Sequence, residues 1–198
     1  MATENRDLRN QALESLKGNW VIAIVTFLIV FILTGGAGGI EEGKGGIISV
    51  IIAGPLAVGV ATFSLALSRG QKADIEMVFV GFKNFVNALI AYLLVVIFTF
   101  GWLLLLIVPG IIKAISYSMT FFIMAEDDSI KPMDAIDKSM AMMDGYKMKY
   151  FLLSLLFLVF ILLSAILLFI PLLWLVPYMH VTYAKFYDDI KYNPAMIE

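Results

Sequence analysis

The chain has 198 residues, of which 61% are apolar and only 15% charged, with a mean hydropathy of +0.93. A soluble domain carries about 45–50% apolar residues, and a single globule of this size has too little interior to hide the excess, so lipid must solvate much of the chain. The net charge of −2 gives no electrostatic footprint for nucleic acid, and the lack of cysteine excludes a disulfide scaffold or a thiolate metal site.

Six apolar runs follow in chain order. They are Trp20 to Thr34, Gly46 to Ser68, Phe85 to Val108, Ile111 to Ala125, Phe151 to Ile170 and Leu172 to Phe186. A transmembrane helix needs about 20 mostly apolar residues, so the fourth and sixth runs are short and must lean on the Pro-containing turns before them. None of the runs alternates as a barrel strand would, and helices are the other structure that satisfies its backbone in lipid. The acidic residues Glu4, Asp7 and Glu14 ahead of the first run argue against a cleaved signal peptide.

Six spans place the N-terminus, the 69–84 and 126–150 loops and the C-terminus on one side. That side holds 12 of the 14 Lys and Arg residues, leaving only Lys44 and Lys113 on the other. The positive-inside rule makes it cytoplasmic.

The chain also resembles itself three times. Leu13 to Trp20 with Gly18, Ile75 to Lys83 with Gly81-Phe82, and Ser139 to Lys147 with Gly145-Tyr146 each introduce a pair of apolar runs. Each pair has a proline near its middle (Pro55, Pro109, Pro171) and ends in charge at Arg69, Glu126 to Asp128, and Asp188-Asp189. The predicted architecture is one all-α integral membrane domain over 1–198. It holds six transmembrane helices as three repeated hairpins (roughly 8–70, 74–128 and 132–190), each preceded by a short amphipathic interfacial helix. In the third such helix, Met133, Ile136, Met140 and Met143 recur at helical spacing and should face the bilayer or the bundle, with Asp134, Asp137, Lys138 and Asp144 turned away.

The stretches Val108 to Met119, with Pro109-Gly110 and Lys113, and Leu172 to Asp188, with Pro177-Tyr178, carry a family resemblance. With Leu13 to Trp20 and Ile52 to Leu56, they make the chain resemble the bacterial domain-of-unknown-function family 975 over roughly residues 8 to 190. The resemblance implies a multi-pass protein of the cytoplasmic membrane, chiefly in Gram-positive bacteria, distantly similar to the membrane domain of some glycerophosphodiester phosphodiesterases. It implies no activity, substrate or cofactor.

Few residues could carry chemistry. Gly38 to Gly45 lacks the Ser or Thr that a phosphate-binding loop places after its lysine, and Glu41 and Glu42 would repel phosphate. His180 is the only histidine, so a two-His zinc helix and bis-His haem are ruled out, and no Gly-x-Ser-x-Gly elbow is present. Intramembrane ionisable residues are functional candidates by default, which singles out Lys113, near Ser116 and Tyr117, and His180. Aligning the repeats on their prolines superposes Ser64, Ser118 and His180, and separately Thr62, Ser116 and Tyr178. These would form two polar layers if the second helices line a central axis. The expected function is a non-enzymatic one without cofactor: binding or passing a small or amphiphilic ligand, lipid included, between the hairpins. The alternative is a scaffold or regulator that engages a partner protein or anionic lipid through its interfacial helices.

Overall fold

The computed structural model describes residues 3–36 and 44–192, and no strand occurs among them. Most of the glycine-rich loop, with Glu41 and Glu42, lies outside the described residues. The elements are α1 (Asn5–Leu16), α2 (Trp20–Gly36), α3 (Lys44–Ser68), a 3-10 helix (Ile75–Asn84) and α4 (Phe85–Leu105). They continue with α5 (Ile107–Ser116), α6 (Thr120–Glu126), α7 (Pro132–Met142), α8 (Lys147–Ile166) and α9 (Leu172–Lys191).

The chain belongs in a membrane by composition, but the helices sort differently from the six runs. Four stretches are long and apolar enough to cross a bilayer: Ile48–Ser68, Ile75–Leu105, Ile107–Glu126 and Lys147–Ile166. The first run, α2, has 17 residues and qualifies only together with α1, across a bend of 99°. The sixth, α9, carries Lys185, Asp188, Asp189 and Lys191 in its last two turns, so its apolar part is short.

The fourth run is broken. Its two halves, α5 and α6, are separated at Tyr117 to Met119, where the helical ladder lapses. Ser139 of α7 repairs the gap: its hydroxyl donates to the Ser116 carbonyl at 2.8 Å and accepts from the Met119 N–H at 3.1 Å. A buried backbone break needs such partners. They explain why α7 buries Ala135, Ile136, Ser139, Met142 and Met143, while Met133 is exposed and Met140 half-buried.

Packing places α3 at the centre, against α2, α4, α6, α9, α1 and the 3-10 helix. Of its most apolar stretch 67% is buried, against 11% for the stretch ending in α4 and 17% for α8. Around it, α2 touches α9 and α3, α4 touches α3 and α5, and α8 touches α5 and α9. Each preceding helix packs on the helix that closes another pair: α1 on α9, the 3-10 helix on α3, and α7 on α6. Glycine permits the tightest of these approaches. A Cβ at Gly59 would overlap the Val78 backbone, and one at Gly81 the Pro55 carbonyl.

The turns far from the chain ends are apolar. Leu104 to Val108 are 65–73% exposed and Ile166 to Ile170 are 57–82% exposed. In the second turn, Leu168 and Phe169 adopt positive φ (53° and 62°). Yet the N–H groups of Leu168, Phe169, Ile170 and Leu172 all find carbonyls within the turn, at 2.9–3.3 Å. An apolar surface over a self-satisfied backbone is what a hydrocarbon environment requires.

Candidate functional site

A cavity of about 500 Å³ opens between α2, α3, α6, α8 and α9. Phe27, Val30, Leu56, Val60, Phe121 and Val176 give it apolar walls, and Ser118, Tyr150, His180 and Tyr183 give it polar points. The rarity of ionisable residues in apolar runs is what makes His180 legible in sequence. Its ring stacks on Phe27 with centroids 4.8 Å apart. Tyr150 and Tyr183 face each other at 5.2 Å, and the Tyr183 hydroxyl donates to Ser154 at 3.4 Å.

The structure brings only part of the expected layers together. Ser118 and His180 line this cavity, but Ser64 does not; it is fully buried in α3, and its Oγ has no hydrogen-bond partner among the described residues. Thr62 lines a separate cavity of about 410 Å³ with Arg69, Glu126 and Lys191. Tyr178 borders a third, with Trp20 and Trp174. Ser116 lies at the α5–α6 break, bonded to Ile112 and Ser139.

Lys113 and Tyr117 lie apart from the cavity. The Lys113 ammonium sits 5.4 Å from the centroid of the Trp102 ring and 3.9 Å from the Met140 sulfur, while Tyr117 is buried against Phe98. Lys113 therefore caps an aromatic face, a modest cation–π contact.

Sequence reasoning missed the tyrosines, whose place in the cavity depends on how α8 packs on α9. It also missed what joins the chain-end side of the bundle. Arg69 at the end of α3 hydrogen-bonds Glu126 at the end of α6 and Asp188 of α9, the latter at 2.6 Å. Lys191 reaches Glu126 at 2.5 Å, the Tyr187 hydroxyl donates to the same carboxylate at 2.6 Å, and Lys185 donates to the Ser68 carbonyl. The hydrogen bond from Arg69 to Asp188 raises the arginine pKa, outweighing the opposite effect of burial. Nearby, Asp189 accepts from Lys149 at 2.7 Å and from the Thr3 N–H at 3.0 Å, which pins the start of the chain. Burial would raise the Asp189 pKa, but these hydrogen bonds prevail and hold it below the usual carboxylate value. The opposite charges that end the apolar pairs were the signal for this network.

No curated protein and no solved structure matches the chain. Residues 1–116 and 95–194 match the family described as Protein of unknown function (DUF975), and to that family the chain belongs.

Proposed function

We propose that this is a non-enzymatic protein of the bacterial cytoplasmic membrane that binds or passes a small amphiphilic ligand in the crevice between its hairpins. The observation that carries the reading is the cavity of about 500 Å³, whose apolar walls meet a few polar points. Ligand sites are typically concave, mostly apolar and fixed by a small number of polar groups. The single histidine and the absence of cysteine leave little material for catalysis.

The accompanying topology is three hairpins, α2/α3, α4/α5–α6 and α8/α9, with both chain ends cytoplasmic. Its support is the cyclic packing order, in which each outer helix touches its own partner and the inner helix of another pair. The 12-to-2 distribution of basic residues supports the orientation. The apolar turns at Leu104 to Val108 and Ile166 to Ile170 then rest in the hydrocarbon of the far leaflet.

Native mass spectrometry of protein released from nanodiscs tests the reading. Wild type should retain one lipid-sized adduct, and Ala57→Trp, which fills the crevice wall, should lose it while melting at a similar temperature. Equal occupancy in the two proteins would overturn the assignment to this crevice.

A further inference from the structure

We infer that the ligand of the crevice is an uncharged long-chain amphiphile with a hydroxyl head, such as a fatty alcohol or a monoacylglycerol, which enters sideways from the bilayer between α2 and α9. This rests on the crevice being a ligand site and adds the ligand's chemistry and its route.

The head group follows from the lining. Among the described residues, no Lys, Arg, Asp or Glu side chain lines the crevice. A phosphate or carboxylate brought there would lose its water and meet no compensating charge, a large penalty. The polar points suit a hydroxyl instead. His180 makes no hydrogen bond among the described residues; its contact is the face of Phe27. A neutral imidazole offers one donor and one acceptor, and a hydroxyl offers the same pair in complement. Tyr150 and Tyr183 line the same space, the Tyr183 hydroxyl already donating to Ser154 and keeping its lone pairs as acceptors.

The route follows from a second cavity, of about 270 Å³, which shares Phe27, Phe31 and Val176 with the first. Its remaining walls, from Ile24 and Leu28 to Phe169 and Leu173, are wholly apolar. Phe31 is 70% exposed and Phe169 57%, so this side faces the surrounding hydrocarbon. On the chain-end side, Phe122 of the crevice wall stacks on Tyr187 at 5.5 Å, and Tyr187 is tied to Glu126. An acyl chain can slip past Phe31 without leaving an apolar medium, whereas the chain-end side is plugged by that stack and its ion pairs.

The test uses full-length protein in nanodiscs and three probes that share one diazirine-bearing chain: an alcohol, a carboxylic acid and a phosphate monoester. The alcohol should label peptides of α2 and α9 and be displaced by excess monoacylglycerol, while the acid and the phosphate label weakly. His180→Phe should cut labelling about tenfold, the loss expected for one to two hydrogen bonds. Val176→Trp should block entry. In wild-type protein, the methyl ether of the alcohol, which cannot donate, should compete about tenfold more weakly than the alcohol itself; this arm stands even where His180→Phe fails to fold. Labelling by the acid or phosphate equal to that by the alcohol, or equal competition by the ether, would overturn the head-group assignment and leave the crevice reading intact. Full labelling of Val176→Trp would overturn lateral entry. If no probe marks α2 or α9, the crevice reading falls with it.

Discussion

Arg69 Nη2 lies 2.6 Å from Asp188 Oδ1, tying the cationic end of α3 to the anionic end of α9. The same guanidinium holds Glu126, so one side chain joins three helices that start far apart in sequence. The three side chains keep 18–29% of their surface exposed, so solvent screens part of the attraction. Breaking a fully buried pair costs about 3–5 kcal/mol. Arg69→Ala should therefore cost less, about 1–2 kcal/mol, in keeping with hydrogen bonds to charged groups. Thermal unfolding in detergent should show this loss shrinking as salt is added; Arg69→Lys, which lacks the fork, should recover only part of it. A salt-independent loss would mean that Arg69 acts through packing.

Asp189 gives a pH signature. Burial alone would raise its pKa, but the hydrogen bonds from Lys149 and Thr3 prevail and set the folded value below the ordinary one of about 3.9. A depressed carboxylate contributes stability that is present above its unfolded pKa and lost as pH falls through its folded one. Wild type should therefore exceed Asp189→Asn in stability at pH 6, and the gap should narrow as pH falls below about 4. Melting curves across that range decide it; a gap that widens on acidification would reverse the sign.

Much of this arrangement is legible in the amino-acid sequence, and the reasons that the rest is not are physical. The apolar runs, the glycines at the interfacial stretches and the charged ends are local signals, and each has a structural counterpart. Gly18 and Gly145 do adopt positive φ, at 79° and 78°, directly before the chain enters α2 and α8. The break at Tyr117 to Met119 carries no proline or glycine, so nothing local announces it. Ser139 repairs it from 20 residues away, counted from Met119. Tyr150 and Tyr183 likewise enter the cavity through the packing of α8 on α9, which a single sequence does not encode as a pattern. Polar layers drawn by alignment on prolines are met only in part: Ser118 and His180 share the cavity, whereas Ser64 is buried within α3 and Ser116 is bonded at the α5–α6 break.

Labelling with a membrane-impermeant thiol reagent checks the proposed topology. Single cysteines at Ala73 and Ser129 should be shielded in intact cells, and one at Gly43 should react. A cysteine at Leu168 should remain unreactive from either side unless detergent is added, because the proposed topology puts its turn in lipid. Outside labelling at Ala73 or Ser129 would overturn the orientation, and ready labelling at Leu168 would place that turn in water.

The last prediction separates close backbone packing from helix propensity. A Cβ added at Gly59 would collide with the backbone of Val78, which cannot rotate away as a side chain would. The contact joins α3 to the 3-10 helix, so relief requires moving one whole element, and overpacking of this kind costs about 1–3 kcal/mol. Gly101 also sits inside a helix, α4, but nothing lies within 4 Å of the Cβ it would gain. Alanine there should add helix propensity worth up to about 1 kcal/mol. Gly59→Ala should thus lower the melting temperature and Gly101→Ala leave it unchanged or raise it, although the two substitutions are chemically identical. Equal effects would show that neither glycine is needed for close approach and that propensity alone governs both positions.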